Sequence, residues 1–160
     1  MKTLKALIAL IVCGALVYFG VTRTLKKSKS PDEFKEIMEA DGYRVSQIYK
    51  NKDNVEKAYA ARKSDENYTW EIEYIDFDTE DNAIAHYNEE YDKLLKVTDK
   101  SYDRITKGIN FAQYMIESKR EYMSISRIGK TFVSSRVDSR AKTVVRDGIT
   151  KAGYWLIIDD

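Results

Sequence analysis

Residues 68–77 read YTWEIEYIDF, and this stretch decides the fold. From Tyr68 to Tyr74 every second residue is aromatic or aliphatic, while the residues between them are polar. A strand with this alternation has one buried face and one solvated face, which is typical of an antiparallel sheet. At Ile75 and Phe77 the apolar side chains change parity, which predicts a bulge or a strand end at this point.

Helices are predicted on both sides of this strand. Ser30, Pro31 and Glu33 form the sequence of a capping box, with proline at the first helical position. Asp78 is expected to cap a second helix with an apolar stripe, and Ser139 a third. In chain order the patterns predict a helix over 31–41, strands over 43–49, 55–62 and 68–77, a helix over 79–95, strands over 111–118, 121–128 and 131–137, a helix over 140–152, and a short strand over 154–158.

These elements predict an α+β fold, because helices follow groups of neighbouring strands instead of alternating strictly with them. We expect an antiparallel sheet with two or three helices packed on one face. The 160 residues leave room for one domain, which we place at 31–160. The single cysteine excludes a disulfide framework and a cysteine-based zinc site.

An apolar segment precedes this domain. Residues 6–22 read ALIALIVCGALVYFGVT and carry no charge, with Lys5 and Arg23 on either side. As a helix this run spans roughly 25 Å, at the short end of what crosses a bilayer. We therefore predict a single transmembrane helix over 6–22, between a basic flank at 1–5 and a basic tether at 23–30.

Two other interpretations of this segment stay open. A cleavable secretory signal also begins with cations and an apolar run, although no small-residue cleavage site stands out here. Residues 10–13, LIVC, resemble a lipobox, which makes Cys13 a candidate for lipid modification. Positive charges beside a membrane helix favour the cytosolic side. Here the four cations after the segment outnumber the amino terminus and two lysines before it by one, which slightly favours a cytosolic domain.

Charge is distributed unevenly along the domain. Residues 31–118 hold 12 basic and 21 acidic side chains, whereas residues 119–151 hold nine basic and three acidic ones. The acidic excess of the whole domain excludes a typical nucleic-acid binder, so no nucleic-acid partner is expected. The basic stretch instead suits an anionic envelope polymer or lipid headgroups. The side chains predicted for such a surface are Lys119, Arg120, Arg127, Lys130, Arg136 and Arg140.

Catalytic and metal-binding motifs are not found in the sequence. His86 is the only histidine, which excludes a two-histidine metal site, and its place off the apolar stripe predicts a solvent-facing side chain. Glu71 and Glu73 share one face of the predicted strand and form the one carboxylate pair considered for hydrolysis. Solvation of a strand face explains both glutamates without chemistry. We therefore expect no catalytic residue, metal, cofactor or enzyme activity.

Several stretches together resemble a known group of proteins. They are the lipoprotein-like front end, FKEIMEADGY at 34–43, YTWEIEYIDF at 68–77, DTEDNAIAHYN at 78–88 and SRIGKTFV at 126–133. In these features the chain is similar to small membrane-anchored or lipoprotein-like α+β surface proteins of Gram-positive bacteria, a group without an assigned activity. The resemblance implies an exported domain held at the cell membrane, and it implies no catalytic residue.

Three functions follow as hypotheses. The first is a single-pass, membrane-tethered, non-enzymatic domain that binds a protein or an envelope component outside the cell, with membrane lipid contacted through residues 6–22. The second is an accessory subunit of a membrane protein complex, with the domain in the cytosol. The third is a hydrolase that uses Glu71 and Glu73.

Overall fold

A computed structural model describes residues 25–48, 54–66 and 68–157. The predicted anchor over 6–22 and the candidate lipidation residue Cys13 lie outside these described residues. Within the three described ranges, every helix is too short or too polar to cross a membrane.

The described residues form a seven-stranded antiparallel sheet and three α-helices, which confirms the predicted α+β class. The elements in chain order are α1 (Pro31–Ala40), β1 (Arg44–Gln47), β2 (Val55–Ser64), β3 (Thr69–Phe77), α2 (Glu80–Leu95), β4 (Lys100–Lys107), β5 (Phe111–Ser118), β6 (Glu121–Ile128), β7 (Thr131–Asp138), a 3₁₀ turn (Ser139–Ala141) and α3 (Lys142–Lys151). Across the sheet the order is β1-β2-β3-β7-β6-β5-β4. Two meanders, β1 to β3 and β4 to β7, are therefore joined by the pairing of β3 with β7.

Two helices pack on one face of the sheet, as expected, but the third covers the opposite face, so the expectation that helices lie on one face alone is wrong. On one face α1 and α3 pack on the aromatic residues of β3, in a core that includes Phe34, Met38, Trp70, Ile72, Tyr74, Val145 and Ile149. On the opposite face α2 packs with Ala83 and Tyr87 on Ile75 and Phe77. We call these the α1/α3 face and the α2 face.

The parity change in β3 results from this second layer. β3 is continuous from Thr69 to Phe77, and the one register shift in its pairing with β2 lies on β2, between Val55 and Lys57. The predicted strand end does occur at Phe77, and the register shift on β2 lies opposite Asp76 and Phe77, but β3 itself is not interrupted at Ile75. The second half of β3 is apolar on the α2 face because α2 covers it there, whereas the first half is polar on that face because it is left open.

Local end signals are confirmed at α1 and in the last hairpin. The Glu33 N–H donates to Ser30 Oγ (3.2 Å) and the Ser30 N–H donates to the Glu33 carboxylate (2.8 Å), which completes the capping box. Gly129 takes a φ of +54° in the two-residue turn that it forms with Lys130. This left-handed conformation suits the turn of a tight hairpin and favours glycine over residues with a side chain.

Two helical segments start one residue away from the predicted cap. Thr79 rather than Asp78 caps α2, since Thr79 Oγ1 accepts a hydrogen bond from the Asn82 N–H (3.3 Å). Asp138 rather than Ser139 caps the 3₁₀ turn that leads into α3. Asp, Ser and Thr all offer a side-chain oxygen that can accept a hydrogen bond from the first turn of a helix. Where two such residues are adjacent, the sequence does not show which of them is the cap.

Two segments differ from the predicted elements. Residues 100–107, expected to form a polar loop, form the edge strand β4, which pairs with β5. Its side chains are mostly exposed, so the strand lacks the apolar alternation that marks a buried face. Residues 154–157, expected to form a strand, have no regular secondary structure and pack on the α1/α3 face.

Gln113 on β5 holds this last segment in place. Its Oε1 accepts hydrogen bonds from the N–H groups of Leu156 (2.6 Å) and Ile157 (2.9 Å), and its Nε2 donates to Ser124 Oγ (3.3 Å). The Gln113 side chain is 0% exposed. One buried amide therefore replaces the strand partner that residues 154–157 lack.

We predict that Gln113→Leu lowers the free energy of unfolding by about 2 to 4 kcal/mol, because it leaves two buried N–H groups without an acceptor. Gln47→Leu, on the exposed edge strand β1, is the matched control and should change the free energy of unfolding by less than about 0.5 kcal/mol. Urea unfolding followed by circular dichroism measures both. Equal effects of the two substitutions would show that the Gln113 hydrogen bonds do not stabilise the fold.

Candidate functional site

A groove of about 340 Å³ opens on the α2 face, between the second half of α2 and the centre of the sheet. Its apolar residues are Met123 and Ile125 of β6, Leu94 of α2, and Val97 just after α2. Its polar residues are Glu71, Glu73, Glu90, Lys93, Ser134, Ser135 and Arg136. The groove thus combines an apolar floor with a charged rim, the composition of many ligand sites.

The groove exists because α2 packs tightly on the sheet over only part of its length. The first half of α2 buries Ala83 and Tyr87. Towards its end the buried positions stop, and Leu95 is 45% exposed. The sheet below this end carries Glu73 and Ser134 on paired positions of β3 and β7. Polar residues here disfavour close apolar packing, and an open space remains.

Charges on the rim are paired with other protein groups. Glu71 forms an ion pair with Arg62, which lies beside it on β2. Arg136 donates two hydrogen bonds to the Glu121 carboxylate, at 2.9 and 2.8 Å. The carboxylates of Glu89 and Glu90 each lie 2.8 Å from Lys93 Nζ and raise the pKa of this amine above its usual value. The apolar floor is therefore the part of the groove with most to gain from a ligand.

The sequence-predicted carboxylate pair lies in this groove. Glu71 and Glu73 both line it, and Ser134 Oγ donates to Glu73 at 3.5 Å. His86 is not among the lining residues. Its ring packs against Phe77 and Phe132, with centroids 5.3 and 4.7 Å apart. His86 is half-buried, so the expectation of a solvent-facing side chain is wrong.

The six predicted basic residues divide between two ends of the sheet. Lys119, Arg120, Arg136 and Arg140 lie towards the β5–β6 turn. Arg127 and Lys130 lie at the opposite end, beside the Gly129-Lys130 turn. Along this hairpin Arg136 lies four residues from Phe132, the partner of Arg127, which is roughly 13 Å, and Arg120 lies seven residues from Arg127, roughly 23 Å. The structure therefore does not bring the six side chains into one patch.

Four of these six cations are also held by carboxylates. Arg127 Nη1 lies 2.8 Å from Glu80 and 2.9 Å from the Gly129 carbonyl. The other three pairs are Lys130 with Glu56 and Asp76, Arg136 with Glu121, and Arg140 with Asp138. Among the described residues, no carboxylate lies within salt-bridge distance of Lys119 or Arg120. Both side chains are exposed, and Arg120 lines a cleft with three acidic residues, Asp99, Glu121 and Asp138.

A smaller cleft of about 120 Å³ lies on the α1/α3 face. Lys142 and Arg146 of α3 line it together with Trp155 and Tyr122. The Arg146 guanidinium lies 4.6 Å from the Trp155 ring centroid, and Lys142 pairs with Glu117 at 2.8 Å. These contacts fasten α3 and residues 154–157 to the sheet, so the cations here act in packing.

The sequence gives little sign of the groove. Its apolar residues come from β6 and from the end of α2, and Leu94 was expected to lie in the core stripe. Met123 and Ser134 belong to strands that the sequence predicts. That these side chains line a groove depends on how α2 packs over this face of the sheet. The one trace in the sequence is the polar pair of Glu71 and Glu73, on the same face as Ile75.

We predict that Arg127 acts in the fold and not in partner binding. Arg127→Ala removes the side chain of a residue that is 6% exposed, together with its two hydrogen bonds, and should lower the free energy of unfolding by about 2 kcal/mol. Arg120→Ala, an exposed arginine, should change it by less than about 0.5 kcal/mol. Urea unfolding of both variants measures the difference. A fully stable Arg127→Ala protein would contradict this assignment.

Within the described residues, no three His, Cys, Asp or Glu side chains gather as a metal site would require. The groove on the α2 face has four aliphatic or methionine side chains among its lining residues, together with charged ones. No family model, curated protein or solved structure matches this chain.

Proposed function

We propose that the protein is a membrane-tethered, non-enzymatic domain that binds a polypeptide segment of a partner protein outside the cell. The observation that carries this proposal is the groove on the α2 face. It offers an apolar floor within a rim of charges that are already paired.

A polypeptide fits this groove better than an envelope polymer does. The floor of Leu94, Val97, Met123 and Ile125 gains most from covering by an apolar side chain. A glycan or polyanion would instead need cations or hydrogen-bonding groups that are open to it. Here Arg136 is engaged by Glu121, and Lys93 by two glutamates.

The tether rests on the apolar run over 6–22 and the cations on both sides of it. An exported position is supported by the resemblance to anchored surface proteins. The absence of cysteine after Cys13 is compatible with an oxidising compartment. Together these features favour a domain held at the outer face of the membrane.

A hydrolase is the second candidate, because Glu71 and Glu73 line the same groove. Hydrolysis by two carboxylates requires one of them to donate a proton. Glu71 is bound to Arg62, and Glu73 accepts a hydrogen bond from Ser134. Both glutamates thus have structural partners, which favours binding over catalysis.

We predict that a photocrosslinker placed at Lys93, on the groove rim, gives a discrete adduct with a protein in intact cells. The same probe at Lys35 should not give it, since Lys35 is an exposed lysine of α1 on the other face of the sheet. Ser134→Trp should abolish the Lys93 adduct by filling the groove. Gel analysis of the tagged protein after irradiation measures the adducts.

Ser46→Trp, on the exposed strand β1, is the control for the effect of a large side chain. It should leave the Lys93 adduct unchanged. Identical products from Lys93 and Lys35, or an adduct that survives Ser134→Trp, would contradict binding in the groove. Cleavage of the captured partner that disappears in a Glu71→Gln, Glu73→Gln double variant would favour the hydrolase instead.

We predict that protease added to intact cells digests the domain without lysis and leaves a membrane-bound fragment that contains residues 6–22. An anchored domain on the outer face is open to the enzyme, whereas a cytosolic domain is protected. Fractionation and the intact mass of the membrane-bound form complete the measurement. Protection until lysis would reverse the orientation and favour an accessory subunit with a cytosolic domain.

A further inference from the structure

The described chain begins at a point that is fixed to the sheet. The Lys26 N–H donates to Asn110 Oδ1 (3.0 Å), and Asn110 Nδ2 donates to the Lys26 carbonyl (2.8 Å). Lys26 Nζ also lies 5.7 Å from the Phe111 ring centroid. Residues 25–30, predicted as part of a polar tether, therefore run along the domain. Any free tether is confined to the chain before Lys26.

Asn110 belongs to the β4–β5 turn, which is itself well held. The Gly108 N–H donates to the Phe111 carbonyl (2.9 Å), and the Gly129 N–H donates to the Asn110 carbonyl (2.8 Å). A side chain at Gly108 would collide with the Phe111 ring. The turn presents Ile109 to solvent, and at 65% Ile109 is the most exposed large hydrophobic residue of the described chain.

The position of this turn relative to a membrane follows from chain length. This step rests on the proposed function, in which residues 6–22 lie in the bilayer. Thr22 ends the apolar run and is four residues before Lys26. Four residues span at most roughly 14 Å when fully extended. The headgroup region on each side of the hydrocarbon core is roughly 5 to 8 Å thick. The Asn110 hydrogen bonds therefore hold the β4–β5 turn at or just above the headgroups.

The residues around the turn have the composition of a lipid-contacting surface. We call Leu25, Lys26, Lys27, Lys107 and Ile109 the turn surface, and all five are exposed. Neither 23–31 nor 104–116 contains an acidic residue. Three acidic groups near this end of the sheet are paired with cations: Glu56 and Asp76 with Lys130, and Glu80 with Arg127. A fourth, Glu33, accepts the Ser30 N–H hydrogen bond, and Lys29 and Lys27 lie close enough to act on it electrostatically.

Lysines beside an exposed aliphatic side chain suit the boundary between headgroups and acyl chains. Basic residues near such a boundary are attracted to anionic lipids. We propose that the turn surface docks on anionic lipid headgroups of the membrane that holds residues 6–22, with Ile109 reaching the acyl boundary. The geometry is the same whichever side of the membrane the domain occupies, because the link before Lys26 sets it.

The test uses the full chain, reconstituted into vesicles with Cys13→Ala so that a single added cysteine carries an environment-sensitive fluorophore. Ile109→Cys reports on the turn. Leu95→Cys is the matched control, an exposed aliphatic residue at the opposite end of the sheet. In vesicles of phosphatidylcholine and phosphatidylglycerol, the label at 109 should emit at shorter wavelength than in pure phosphatidylcholine. The label at 95 should emit alike in both.

A charge-reversed variant tests the lysines. Lys27→Glu with Lys107→Glu should remove the spectral shift of the label at 109, whereas Lys35→Glu should leave it unchanged. Raising the salt concentration should weaken the shift, because ions screen surface charges over about 10 Å at 0.1 M. Equal emission at 109 in the two kinds of vesicle overturns the role of anionic headgroups.

Flotation of the vesicles separates failure of this inference from failure of the proposed tether. A full-length chain that does not float with vesicles shows that residues 6–22 are no anchor, and the inference falls with the proposed function. A chain that floats, yet gives the same emission at 109 as at 95, overturns the docked turn alone. Near-ultraviolet circular dichroism confirms that each labelled variant keeps the fold.

Discussion

The structure depends on the pairing of β3 with β7, which joins two separate meanders into one sheet. Only four residue pairs form this seam, from Glu73 with Ser134 to Asp76 with Thr131. Burial raises the pKa of Asp76 above its usual value, and Lys130 Nζ at 3.4 Å opposes this shift. A carboxyl whose pKa is raised in the folded state costs stability once the pH passes that pKa, so Lys130 offsets part of a cost located at the seam. The same seam supplies the groove with Glu73 and Ser134, so the element that completes the core also builds the candidate site.

Two amide side chains of similar chemistry hold the two ends of the described chain. Gln113 binds the N–H groups of Leu156 and Ile157, and Asn110 binds both the N–H and the carbonyl of Lys26. An amide has both donor and acceptor atoms, so it serves segments without a strand neighbour. Both residues belong to β5 or its preceding turn. This region of the sheet therefore fixes both ends of the described chain to the domain.

Signals that act over a few residues were readable from the sequence, and contacts between distant residues were not. The capping box at Ser30 and the turn at Gly129 each fix the backbone locally, and both are confirmed. Which face α2 covers depends on packing between distant elements, and Ile75 with its changed parity was its only trace. The sequence does not predict edge strand β4, because a strand that is exposed to solvent on both faces has no alternation of apolar and polar residues. The basic residues illustrate the same limit, since Arg127 is buried against Glu80 of α2, a partner that lies 47 positions earlier in the chain.

The two candidate surfaces differ in chemistry and in place. Arg136 on the groove rim lies five positions along β7 from Thr131, which is near the proposed membrane contact, and this spacing is roughly 17 Å. In the proposed arrangement, with the turn surface on the headgroups, the groove would open above them, where a polypeptide in water could reach it. The charges follow the same division. Three of the five residues of the turn surface are lysines, which suits contact with anionic lipid. On the groove rim, by contrast, Lys93 and Arg136 are paired with glutamates. Apolar contact with the floor is therefore what would select the partner. Docking of the turn would also restrict rotation of the domain, so the groove would face along the membrane surface, towards partners that are themselves held there.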